Sequence, residues 1–304
     1  MKQDKDLQAE IAEGGKTNIK ETLLMVGGFA VAAFGWHLMT NYSTLLCITG
    51  IVLLVIGLGF GAQAMLRRKK ARESMKQRLS ETVIPELLSE VFDEVEYDHT
   101  GYIDGTLIES IDMHFPFKFD AVIGSDHIRA RYRGVDIEMS DILLDSVTIL
   151  TSEDDNGNTE THEVHRNRFR GQWIILDLHR ELTSDLCIFE DGRKKKGQVE
   201  TENEAFNKKF GVTCENEHDA FYILTPHLMD HIMTLDERAG GNTYMRFLKE
   251  GKVHVAVNSG RDHFELERLN VSDVGALRRR FRGEVEYVTA LVDELLAVNT
   301  MFRK

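Results

Sequence analysis

The sequence predicts an α+β protein, with an N-terminal two-helix transmembrane hairpin followed by a cytosolic antiparallel-sheet domain carrying flanking amphipathic helices. Three observations predict it. Two long apolar runs, Thr22–Met39 and Thr44–Met65, contain no Asp, Glu, Lys or Arg. A basic cluster, Arg67-Arg68-Lys69-Lys70, ends the second run. Beyond it, segments of period-two alternation are framed by segments with apolar residues at helical spacing.

The first run is near the lower limit for a span and the second is ample, because a helix needs about 20 apolar residues to cross a hydrocarbon core of about 30 Å. Thr40-Asn41-Tyr42-Ser43 separates them. His37 lies near the end of its run beside Trp36 and Tyr42, where interfacial residues belong. A second span comes at once, so the first run is not read as a cleaved signal. The connecting loop has no basic residue, and the exit carries Arg67, Arg68, Lys69, Lys70 and Arg72. The positive-inside rule then places both termini in the cytoplasm. Gly28 and Ala32 are four apart, as are Gly57 and Gly61, so each pair puts small residues on one helix face. Those faces suit packing within the hairpin, and also association with a membrane partner or a second copy.

The expected organisation is a tail over 1–21, a hairpin over 22–66 and a basic juxtamembrane and amphipathic helix over 67–96. A strand-rich subdomain over 97–192 and a second α+β subdomain over 193–304, ending in a long helix, complete it. Leu79, Val83, Leu87, Val91 and Val95 recur at helical spacing, and Pro85 kinks that helix or opens a new one. Asp126–Tyr132 and Val135–Met139 alternate around Arg133-Gly134, which predicts a hairpin. Ile142–Leu150, Trp173–Leu178 and Leu186–Phe189 are further strands. Ser152–Glu160 and Asp191–Gly197 are polar turns. Thr225 caps and Pro226 opens a helix with Leu228, Ile232 and Leu235 on its buried stripe. Tyr244–Phe247 and Val253–Val257 are strands around Glu250-Gly251, with a short strand at Phe264–Leu266. The last helix begins near Asp273, with Ser272 as its cap, and carries the basic patch Arg278, Arg279, Arg280 and Arg282.

The formal charge is −13 although the juxtamembrane segment is basic, so the remainder lacks the footprint of a nucleic-acid binder. Three cysteines, Cys47, Cys187 and Cys214, have no ligand spacing and suggest no disulfide framework. No phosphate loop, nucleophile elbow or dinucleotide fingerprint is found, and no catalytic residue or cofactor is expected. His227 and His231, four apart on a predicted helix, come nearest to a metal pair. Leu228 stands where a metalloprotease needs Glu, and no third ligand is evident. His162 and His165 read as surface residues. Asp154–Asn158 lacks the glycine and terminal glutamate of a calcium loop.

Several stretches resemble the bacterial DUF3137 family. They are Tyr97–Gly101, then Gly124-Ser125-Asp126-His127-Ile128 leading to Gly134–Asp141, then Phe169-Arg170-Gly171-Gln172-Trp173. The most specific is Phe210-Gly211-Val212 running into Ala220–Met229. The resemblance implies a membrane-anchored cytosolic domain and no catalytic residues. The expected function is therefore a non-enzymatic, membrane-tethered binding or scaffold module. Its partners would be the bilayer, a membrane or cytosolic protein, or a second copy. The alternatives are a metal-dependent hydrolase using His227 and His231, and a lipid- or stress-sensing membrane protein.

Overall fold

The structure is a computed structural model that describes residues 2–41, 44–153, 159–190, 197–264 and 274–303. Two compact units result. One comprises Met1–Val83 with Leu266–Arg280, and the other Ile84–Glu265 with Phe281–Lys304.

The first unit holds α1 (Lys2–Asn41) and α2 (Thr44–Arg78), followed by a π-helical turn at Leu79–Val83. Both helices contain a segment long and apolar enough to cross a membrane, Ile19–Thr40 and Ile48–Lys70. Helix α1 starts at Lys2, so the segment expected as a flexible tail or a short amphipathic helix is helical and continuous with the apolar run. The two helices meet through small residues. A Cβ added at Gly28 would lie 2.7 Å from the Gly61 amide nitrogen. One added at Gly57 would lie 2.5 Å from the Ala32 nitrogen. Gly35 and Gly50 form a second such crossing point, where added Cβ atoms would come within 2.6 Å of the opposite backbone. Apolar side chains at the outer surface, such as Leu23, Val55 and Phe60, are mostly exposed. Backbone-to-backbone approach of this kind is how helices associate where no hydrophobic force acts between them.

The second unit is built on one antiparallel sheet. Its strands are β1 (Asp93–Asp98), β2 (Ala121–Tyr132), β3 (Val135–Glu153), β4 (Thr159–Asp177), β5 (Leu186–Phe189), β6 (Gly211–Cys214), β7 (Asn242–Phe247) and β8 (Lys252–Asn258). The spatial order is β1-β2-β3-β4-β8-β7-β5-β6. Arg133 and Gly134, both at positive φ, close the expected two-residue turn between β2 and β3. Pairing of β4 with β8, and of β5 with β6 and β7, joins both sides of the expected boundary at 192/193 into one sheet. The edge strand β1 carries Asp93, Glu94, Glu96 and Asp98, which guard an open edge against further pairing.

Alternation gives the sheet two apolar faces. Trp173, Ala256, Tyr244 and Phe189 are in register across β4, β8, β7 and β5. Their face is covered by Ile103, Ile108 of α4 (Gly105–Ser110) and Met113, with Phe115, Phe117 and Phe119 from the loop before β2. On the opposite face Ile174, Val255, Met245 and Ile188 are in register and fully buried. The helices α7 (Pro226–Ala239) and α8 (Val274–Ala297) bring buried stripes: Leu228, Ile232 and Leu235, and Phe281, Val285, Val288 and Leu291. Tyr132 and Arg133 reach Asp293 of α8, which ties the last helix to the β2–β3 turn. Thr225 accepts from the Leu228 amide at 3.2 Å, and Gly240 in the left-handed region ends α7, as the sequence predicts.

Three local expectations are corrected. The helix expected to run through Val91 and Val95 stops at Ser89 in α3 (Ile84–Ser89), and Val95 lies in β1. Pro85 sits one residue into α3, just after the π-helical turn, where its missing N–H costs nothing. Residues 204–209 form α5 where a strand-like end over Phe206–Cys214 is expected, and α6 (Glu217–Ile223) starts inside the loop expected at Glu215–His218, ahead of the helical segment expected from Ala220. Phe264 is not in a strand. Strands β3 and β4 extend into both ends of the loop expected at Ser152–Glu160, whose residues 154–158 lie outside the described residues, as do 191–196 and the cap at Ser272.

Gly57→Val in α2 should weaken the hairpin by about 1–3 kcal/mol, the usual cost of overpacking. Gly59→Val, where a Cβ meets nothing within 4 Å, should leave it unchanged. Thermal loss of helical circular dichroism in detergent micelles separates the two. Equal melting of both variants would show that the glycine contact does not hold the hairpin.

Candidate functional site

A cleft of about 590 Å³ opens at one end of the central strands of the second unit. Its lining comes from five elements: Arg168 of β4, Glu190 just past β5, Lys208 and Lys209 at the end of α5 (Glu204–Lys209), Asn242 and Tyr244 of β7, and Asn258 of β8. Pro116 and Phe117 form the remaining wall. The β3–β4 register shifts between Leu144 and Asp145, opposite Phe169 and Asn167, so Arg168 is the bulged residue with no partner across the ladder. Asn258 pins that bulge, accepting from the Arg170 amide at 3.1 Å and donating to the Arg168 carbonyl at 3.3 Å. Lys209 pairs with Asp236, a buried carboxylate of α7. Burial, and then the Asp236 charge, raise the Glu190 carboxyl above its ordinary value.

A second group gathers three carboxylates. Asp126, Asp141 and Asp262 each place an oxygen within 4.8 Å of the other two. Asp126 occupies the β2 bulge at φ 58° and accepts from Tyr97 and from Ser125 Oγ at 2.8 Å. Asp141 accepts from the Phe264 amide at 2.8 Å. Arg170 lies 3.9 Å from Asp262. Burial first, then the neighbouring Asp262 charge, push the Asp141 carboxyl well above the usual range. Oxygens so placed suit a hard cation, and equally suit shared protons.

Helix α8 supplies a carboxylate to the two histidines singled out from sequence. His227 Nδ1 lies 2.8 Å and His231 Nδ1 3.6 Å from the Glu294 carboxylate. Burial lowers the His231 imidazole, which favours its neutral form. The arrangement is a His–Glu tie between α7 and α8, with His227 largely exposed. His162 and His165 are exposed on β4. Arg67, Lys69 and Lys70 are exposed on α2, and Lys69 lies 3.9 Å from Glu73. Neither the cleft nor the carboxylate group is named by sequence motifs. Asp126, Asp141 and Arg170 do fall inside the stretches that resemble DUF3137, which was the available signal. For the cleft the only hint was the adjacent pair Lys208-Lys209.

Two buried groups set opposing pH dependences. His254 accepts from the Trp173 indole N–H at 3.4 Å, and burial lowers its imidazole to about 4. A neutral buried histidine contributes stability above its unfolded value of about 6.5, lost as pH falls toward the folded value, for about 3 kcal/mol in all. Asp141 runs the other way. With its folded value raised, the protonated form stabilises at low pH, and that contribution is lost as pH rises through the folded value. Asp141→Asn keeps an oxygen for the Phe264 amide and removes a like charge beside Asp262. It should therefore raise the melting temperature at neutral pH and flatten the decline on the alkaline side. Thermal melts across the acidic to neutral range test this. A variant less stable than the parent at neutral pH would show that the Asp141 charge is held by a counter-charge.

Comparison with known proteins gives a family match and a weak structural likeness. No curated protein matches the chain. The crystal structure of the mycobacterial trehalose monomycolate transport factor A, TtfA, is similar at 12% identity and a TM-score of 0.37, over 72% of this chain and 94% of that one. The DUF3137 model, described as a protein of unknown function, matches residues 167–296. That span runs from the bulge of β4 through most of α8 and contains His227, His231 and most of the cleft. Over that span the chain is similar to DUF3137, and the stretches Phe169–Trp173 and Phe210–Met229 that carry the resemblance fall within it.

Proposed function

We propose that the chain is a non-enzymatic binding or scaffold module tethered to the bacterial inner membrane, with both termini and the sheet unit in the cytoplasm. One observation carries the reading. The two apolar helical segments pack glycine against backbone and leave large apolar side chains outward. Water would penalise such a surface, and lipid would not. The basic exit at Arg67, Arg68, Lys69 and Lys70 supports the orientation. The partner is the bilayer together with a protein or a second copy held beside it. Concave surface in the sheet unit is built of cations, one carboxyl, amides and rings, which suits recognition.

Two measurements test the reading. In membranes washed with alkaline carbonate the chain should stay in the pellet, and release into the supernatant would overturn the tether. Asn41→Cys should react in intact cells with a membrane-impermeant maleimide, while the unsubstituted chain stays unlabelled. Protection of that cysteine would reverse the orientation.

A further inference from the structure

We infer that the cleft between the end of α5 and the β4 bulge binds a phosphate-bearing small molecule, with Arg168 and Lys208 as its direct contacts. This rests on reading the sheet unit as a binding module and names its ligand class. Three cations, Arg168, Lys208 and Lys209, line one cleft of a chain whose formal charge is −13. Lys209 is already balanced by Asp236 and lies near Glu190. The other two cations remain. Lys208 has only a loose, exposed contact with Glu204 at 4.0 Å, of a kind worth little in water. Arg168 spends its Nε on Ser146 Oγ at 2.9 Å, and among the described residues no carboxylate pairs with it.

Neighbouring residues hold that geometry in place. The bulge takes Arg168 out of the ladder, and Asn258 fixes the backbone on both sides of it. Asn242 donates to the Glu190 carbonyl at 3.4 Å, and the Thr243 amide donates to the Glu190 carboxylate at 3.2 Å. Glu190 is therefore held at the cleft as an acidic side chain beside the cations. A planar guanidinium fork and a lysine ammonium are a standard pair for phosphate oxygens. Pro116 and Phe117 offer an apolar wall for the body of the ligand. A volume of about 590 Å³ falls within the range of small-molecule sites, about 300–1,000 Å³.

The test uses the full chain in nanodiscs of zwitterionic lipid, titrated calorimetrically with inorganic pyrophosphate against chloride of equal ionic strength. The parent should bind. The double variant Arg168→Ala, Lys208→Ala should lose about tenfold or more, since two charge-assisted contacts go. Both side chains are exposed, so the fold is retained. Glu190→Gln keeps an acceptor for the Thr243 amide and removes the opposing charge, so it should tighten binding. A structural role alone would not produce that gain. Absence of pyrophosphate binding, or equal binding by the double variant, overturns the proposal and leaves the membrane tether standing. Nanodiscs containing phosphatidic acid identify the source of the phosphate. Weakened pyrophosphate binding there assigns the cleft to a lipid headgroup, and unchanged binding assigns it to a soluble phosphate.

Discussion

Pairing of β4 with β8 is the constraint on which the sheet unit depends. Strands β1 to β4 form one meander, and β8, β7, β5 and β6 form another group. Six residue pairs, from Gln172 opposite Val257 to Asp177 opposite Lys252, are the ladder that joins them. Trp173, Ile174, Ile175 and Leu176 on this seam are all buried. Each such side chain contributes about 1.5–3 kcal/mol when fully removed from water. Because alternation sends Trp173 to one face and Ile174 to the other, a one-residue slip here would exchange the two cores.

Both candidate clusters arise from irregularities in strands near that seam. A bulge in β4 releases Arg168 into the cleft, and a bulge in β2 turns Asp126 toward Asp141. Regular pairing fixes where the side chains lie, and the bulges decide which of them leave the apolar faces. The cost is local. Asp126 adopts a positive φ, and its carboxylate is steadied by Tyr97 and Ser125. Asp236 is similar, a buried acid whose charge is answered by Lys209. Removing one partner of such a pair is more damaging than never having had it.

Much of the architecture was legible because it rests on local signals. Charge-free length gave the two helices, Arg133-Gly134 gave the β2–β3 turn, Thr225-Pro226 gave the start of α7, and Glu250-Gly251 gave the β7–β8 hairpin. Short helices were harder to read. Residues 204–209 and the first turn of 217–223 start from the caps Asn203 and Asn216 more than from any periodicity. Val95 fitted a helical stripe by spacing alone, yet β2 offered its segment a partner strand. The third ligand-like residue near His227 and His231 was invisible, since Glu294 lies more than sixty positions away.

By itself, the sequence determined the apolar hairpin, its basic exit and the α+β character of the chain beyond them, because hydropathy, charge and turn residues act over a few neighbours. Tertiary structure decided the strand order, the join of β4 to β8, and the meeting of Arg168 with Lys208 and of Asp126 with Asp141 and Asp262. Those are long-range pairings. They are selected by which faces bury together, a property of the folded whole that no short stretch of residues encodes.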